Sequence, residues 1–245
     1  MTMRLVVVSA GLSVPSSTRL LADRLTESAR RSLAEAGRTV DVEVVELREL
    51  AVPIANNLVT GFPPAPLEEA AEAVASADGL IVVTPVFSAS YSGLFKSFFD
   101  LIEPGALTGK PVLIGATGGT ARHSLVLEHA MRPLFAYLRA ETVPTGVYAA
   151  SEDWGGSGDP LTDTLPERID RAGGQLARAM SFHPARSSAD DTGLGGFDIT
   201  TTLGAPRTPE PPPPAAAPSE PPAPEPPSPP VAPSEPPAPA TLPRS

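Results

Sequence analysis

The amino-acid sequence predicts an open, doubly wound α/β sheet, and three observations carry that prediction. Short apolar runs alternate along the chain with longer stretches of helical period, the signature of βαβ units around a parallel sheet. Four of the five candidate strands are nearly continuous apolar runs, as strands covered by helices on both faces should be, and the fifth alternates like an edge. The last forty residues, 206–245, hold 19 of the 32 prolines, which leaves about 205 residues, enough for one domain.

Taken in order, residues 4–8 (RLVVV) form the first strand. With one Arg and four apolar residues before polar text resumes, this run is too short for a signal peptide or a membrane span. A helix follows over 17–36, with Leu20, Leu21, Leu25, Ala29 and Leu33 on one stripe. The run 40–47 sets Val40, Val42 and Val44 against Asp41 and Glu43, and so reads as the edge strand. Pro53, Gly61, Pro63, Pro64 and Pro66 make 51–66 an irregular excursion, either a binding or dimer-contact loop or a tolerated insertion. The remaining strands are 79–84, 111–117 and 142–148, and the remaining helices 67–77, 91–102, 123–139 and 165–182. The edge character of the second strand gives strand order 2-1-3-4-5, a flavodoxin-like sheet. From 186 the periodicity stops, so the expected organisation is a domain over 1–185, a linker over 186–205 and a disordered Pro-rich tail over 206–245. Gly195–Leu203 is apolar enough to dock on the body. The tail repeats PSEPPAP at 218–224 and 233–239 and reads as an entropic spacer or a docking text.

Charge and composition exclude several functions. The formal net charge is −10, and removing the tail's two basic and four acidic residues leaves 16 basic and 24 acidic residues in the body, or −8. No Lys/Arg cluster exceeds the Arg30-Arg31 pair, so neither nucleic acid nor an anionic membrane is an expected partner. The absence of cysteine removes disulfides, thiolate metal sites and cysteine nucleophiles. A cytoplasmic protein is the expectation. No GxGxxG follows the first strand, no GxSxG occurs, and Gly105–Lys110 is one residue short of a P-loop and precedes a strand. His123 and His129 are six apart, on different helix faces, and His183 stands alone, so no metal site is read.

In such a sheet ligands sit beyond the carboxyl ends of the strands where strand order reverses, so the loops after the first, third and fourth strands matter. The first, Ser9 to Leu21, offers Ser13, Ser16, Ser17 and Thr18 at a helix start, with Arg19 beside them. A helix N-terminus with added hydroxyls suits a terminal phosphate, although simple capping by Ser16 or Ser17 needs only one of them. The second holds Pro85, Val86, Phe87 and Ser88, where Pro85 is read as ending the strand and the apolar pair could meet a planar ring. Phe95, Phe98 and Phe99 behind it read as core or subunit interface. The third, Ala116 to Ser124, places Thr117, Gly118, Gly119 and Thr120 where backbone N–H groups could form a nest, flanked by Arg122 and His123, or merely a tight turn. Trp154, after the last strand, could cover a ligand or plug an interface.

These loops resemble the NADPH-dependent FMN reductase family, over about residues 3–183, and in particular the flavin reductases that supply monooxygenases. The resemblance is carried by Ser16-Ser17-Thr18-Arg19, by Thr84-Pro85-Val86-Phe87-Ser88-Ala89-Ser90-Tyr91-Ser92-Gly93-Leu94-Phe95-Lys96, and by Ala116-Thr117-Gly118-Gly119. The continuation Arg122-His123 through Arg132-Pro133-Leu134 is similar to alkanesulfonate-type flavin reductases. It implies FMN held by its phosphate at 13–19 and by its ring at 85–88 and 117–120, with Gly118 and Gly119 donating toward the pyrimidine edge. It also implies NADPH or NADH as hydride donor, a homodimer or homotetramer, and a flavin-dependent monooxygenase as partner. Where the family's first loop carries an Arg, this chain has none, leaving Arg19 or Arg122 as the charge partner. No catalytic side chain is required, since flavin carries the chemistry. The alternatives are an FMN-containing quinone or azo reductase and a non-catalytic flavin-binding protein.

Overall fold

Strand β1 (Thr2–Ser9) is buried from Leu5 to Ser9 because it lies inside the sheet, flanked by parallel strands on both sides. The computed structural model describes residues 2–103, 105–155 and 163–182. His183, the linker 186–205 with Gly195–Leu203, the tail 206–245 with its repeats, and the glycine-rich stretch beyond Gly155 lie outside the described residues.

After β1 come α1 (Ser17–Glu35), β2 (Thr39–Glu46), a 3-10 turn at Leu47–Leu50, α2 (Ala51–Thr60), α3 (Ala65–Ser76), β3 (Gly79–Phe87), β4 (Ser90–Tyr91) and α4 (Gly93–Phe99). The second half holds β5 (Pro111–Gly118), α5 (Arg132–Tyr137), β6 (Glu141–Thr142), β7 (Val147–Ala150) and α6 (Leu165–Phe182). The sheet runs β2-β1-β3-β5, with β6 and β7 both parallel on the far side of β5 and β4 turned back antiparallel on β3. Counted as the five predicted strands, this is the order 2-1-3-4-5. Alternation along the strands divides the core: Leu5 and Val7 pack under α1 and α6, whereas Val6 and Val8 face α3, α4 and α5.

Four expectations about element boundaries are corrected. Residues 51–66 are not irregular: α2 fills 51–60, and only 61–64 separate it from α3. Pro53 falls in the first turn of α2, where its missing N–H would have no intrahelical partner in any case, and Gly61, with φ 75°, supplies the left-handed residue that stops the helix. Pro85 does not end its strand: β3 continues to Phe87, and the chain folds back through Ser88 and Ala89, shortening the next helix to 93–99. The fifth strand is split into β6 and β7 around Pro144, whose carbonyl, like that of Val143 and the hydroxyl of Thr142, accepts a hydrogen bond from Arg132. Last, 123–139 is not one helix. A 3-10 turn at Ala121–His123 and a π-turn at Leu127–Met131 precede α5, because Pro133 displaces the helical ladder and the Arg132 N–H reaches five residues back to Leu127. Leu20, placed on the buried stripe of α1 by its spacing, is instead 43% exposed. Among the described residues no helix is long and apolar enough to cross a membrane.

Candidate active site

Parallel pairing brings the three singled-out loops to one end of the sheet. Ser9 at the end of β1 lies beside Val83, and the Ala10 N–H donates to the Val83 carbonyl at 2.9 Å. One step across, Pro85 is in register with Thr117. The first and third loops are then tied directly by a buried hydrogen bond between the hydroxyls of Thr18 and Thr117, 2.8 Å apart. Thr18 sits in the first turn of α1, so this bond fixes the helix N-terminus against the end of β5.

At that N-terminus Ser16 is the cap: its hydroxyl accepts from the Arg19 N–H at 3.2 Å. Ser13 and Ser17 are exposed, and capping accounts for neither. Gly11 is where the loop turns under the helix, since a Cβ there would lie 2.1 Å from Ser16 Oγ. The Ser9 hydroxyl, at the root of the loop, is fully buried and has no partner. The guanidinium of Arg19 points away from this cluster to Asp23 (2.7 Å) and to Glu46 (2.5 Å) at the end of β2. Hydrogen bonds from these carboxylates hold its pKa above the ordinary arginine value. Arg122 and His123 are exposed in the 3-10 turn beyond β5.

Pro85, Val86 and Phe87 lie on one arm of a tight hairpin and Ser88 in its turn, with Val86 opposite Tyr91 and Phe87 opposite Ser90. Its two turn residues, Ser88 (φ 49°) and Ala89 (φ 65°), are both left-handed without being glycine, a strained arrangement for L-residues. Thr84 braces the base of the hairpin: its hydroxyl accepts from the Ser92 N–H at 3.0 Å and donates to the Pro85 carbonyl at 3.0 Å. Ser92 in turn caps α4 by accepting from the Phe95 N–H. Phe87 is left 48% exposed at the tip, whereas Phe95, Phe98 and Phe99 are core.

Neither Gly118 nor Gly119 has positive φ, so the expected nest, which needs a left-handed residue, is not formed. Gly118 is required by a residue that the sequence did not point to: a Cβ there would lie 2.1 Å from Tyr148 Oη. That hydroxyl donates to the Thr120 carbonyl at 2.7 Å, and Glu152 accepts from the Ala121 N–H at 3.3 Å. Burial, with Glu152 and Asp153 nearby, pushes the Tyr148 pKa up, which keeps the phenol protonated as a donor. Gly119 faces open space. Trp154 packs on the α1/α6 side of the core, its ring 4.9 Å below the Arg24 guanidinium.

Residues 3–155 match the NADPH-dependent FMN reductase family. An FMN reductase (NADPH) of Pseudomonas aeruginosa is 43% identical over 153 residues, 62% of this chain and 78% of that one. The NADH-dependent FMN reductase SfnF of Pseudomonas putida is 42% identical over 149 residues, 61% of this chain and 78% of its own. Among solved structures, an oxidoreductase from Corynebacterium diphtheriae is 46% identical with a TM-score of 0.71, covering 75% of this chain and 99% of that one. A WrbA-like flavodoxin from Agrobacterium tumefaciens, 17% identical with a TM-score of 0.51 over 75% of this chain and all of its own, shares the flavodoxin-like fold.

Proposed function

Because this chain belongs to the NADPH-dependent FMN reductase family, we propose that it reduces FMN at the expense of NADPH or NADH and passes the reduced flavin to a flavin-dependent monooxygenase. The observation that carries the reading is the convergence of three loops at one end of the sheet, locked by the Thr18–Thr117 hydrogen bond.

The residues present fit a flavin mononucleotide. Ser13, Ser17 and the α1 N-terminus offer donors and positive potential for the phosphate, with Ser16 and Thr18 shaping the cradle and the unpartnered Ser9 hydroxyl at its root. Arg19 lends its main chain to Ser16, while its guanidinium stays on Asp23 and Glu46. Pro85, Val86, Phe87 and Ser88 give an apolar wall and backbone groups for a planar ring, and Thr117 to Thr120 follow from the neighbouring strand at the same end of the sheet. FMN bound there would accept a hydride from the nicotinamide, and the protein's part is to hold the two rings together and to place N–H groups where negative charge builds. No ionisable side chain is needed for this.

Ser13, Ser17, Phe87, Ser88, Gly119 and Thr120 are all exposed and so accessible to a flavin. Exposed Val52, Val59, Phe62 and Tyr137 offer apolar surface for a homodimer or homotetramer; a cytoplasmic location and residues 1–185 as the flavin-handling unit belong to the same proposal. The test is oxidation of NADPH and NADH by the purified protein with and without FMN, FAD or riboflavin. Strong stimulation by FMN over riboflavin, which lacks the phosphate, is expected. Turnover that needs a quinone and copurified flavin but no added FMN would replace the reading with a quinone reductase, and no oxidation under any condition would overturn both.

A further inference from the structure

We propose that Tyr148 is a positioning residue for the flavin-facing loop 118–121, a role that rests on the FMN reductase reading above. Tyr148 lies on β7, buried, beside Ala116 of β5, so its side chain reaches along the last strand toward the loop beyond it. Three contacts converge there. Its Oη donates to the Thr120 carbonyl at 2.7 Å; the same oxygen occupies the place of a Gly118 Cβ; and Glu152, four residues on, takes the Ala121 N–H. The loop is thus gripped from the side facing away from the other two loops, at its first residue by contact and at its third and fourth by hydrogen bonds.

The grip is itself anchored. Arg168 of α6 donates to the Tyr148 carbonyl at 2.5 Å and to Asp153 at 2.9 Å, and the other oxygen of Asp153 accepts from the Ala150 N–H at 2.8 Å. Strand β7, the turn after it and α6 are therefore tied together behind the loop. A glycine pair without positive φ has many accessible paths, and what selects one is the fixed phenol rather than the glycines. Glycine at 118 is explained by the same oxygen: the backbone must come within a hydroxyl's radius of Tyr148 for Thr120 to reach it. The consequence is that the N–H groups offered to the pyrimidine edge are set by a buried side chain behind the loop.

The test measures FMN dissociation constants by fluorescence quenching for the wild type, Tyr148→Phe, Gly118→Ala and the double variant, together with amide hydrogen exchange of 118–121 in the flavin-free proteins. Loss of one hydrogen bond predicts FMN affinity lowered about three- to tenfold in Tyr148→Phe, with faster exchange at 119–121 and an unchanged KM for the nicotinamide. Gly118→Ala is expected to lose more, because its methyl meets Oη. The double variant is expected to bind FMN at least as well as Gly118→Ala alone, since the methyl then faces a ring carbon at 3.1 Å instead of an oxygen at 2.1 Å. Wild-type affinity and exchange in either single variant, or strict additivity in the double, would overturn the role while leaving the reductase reading intact. Failure of the wild type to bind FMN would overturn both.

Discussion

The two faces of the sheet are packed by different means. Under α3, α4 and α5 the core is filled by rings: Phe99 lies 4.8 Å from Phe95, 5.4 Å from Phe98 and 5.0 Å from Phe135, centroid to centroid. Under α1 and α6 the core is aliphatic, and the two helices meet at Ser28, Ala29 and Gly173, small residues that let backbones approach. Added at Gly173, a Cβ would lie 2.4 Å from Ser28 Oγ and 2.9 Å from the Ala29 backbone nitrogen. Rings fill volume and can rearrange among themselves, whereas a backbone-to-backbone seam has no side chain to give way. The seam runs along the helix that Ser16 caps and whose first turn carries Ser17 and Thr18. On the function proposed above, the aromatic face acts on stability and the α1–α6 seam on where the phosphate cradle lies.

Three substitutions would break or sharpen that division. Phe99→Ala removes a fully enclosed ring and is expected to cost about 3–5 kcal/mol in urea unfolding. The surviving folded protein should keep an FMN KM close to the wild type, and a large KM change would put the aromatic face into the site as well. Gly173→Ala is expected to cost less, about 1–3 kcal/mol, yet to weaken FMN binding, because α1 must shift to make room. Unchanged FMN affinity in that variant would separate the seam from the cradle. The smallest effect is expected at the hairpin. Ala89→Gly relieves a left-handed alanine and should change stability by about 1 kcal/mol or less, raised by the lost strain and lowered by the freer unfolded chain. A clear rise in melting temperature would show that strain dominates at this turn.

The fold was legible because its signals are local. Val6 to Val8, Leu80 to Val83 and Val112 to Ile114 are apolar without alternation, and only a strand covered on both faces needs that text. The hydroxyls at 13–18 stood out for the same reason, being gathered in one short loop before a helix. What failed to show was set by neighbours distant in sequence or by position within an element. Pro53 and Pro85 were read as breakers, although the first turn of a helix and a strand of this sheet each accommodate one. The hold of Tyr148 on Thr120 spans 28 residues, and the draw of Glu46 on Arg19 spans 27. Such pairings leave no periodic trace, since each requires knowing which strands are neighbours.

The split last strand has a further consequence. A parallel sheet ends in edges whose free N–H and C=O groups could recruit a strand from another molecule. Here one side ends in pieces of two and four residues separated by Pro144, and the other carries Asp41 and Glu43, the latter paired with Arg4 at 2.6 Å. Neither side presents a long, neutral template. Sheet extension into fibres is thereby discouraged at both ends, and association between copies is directed to helices and loops instead.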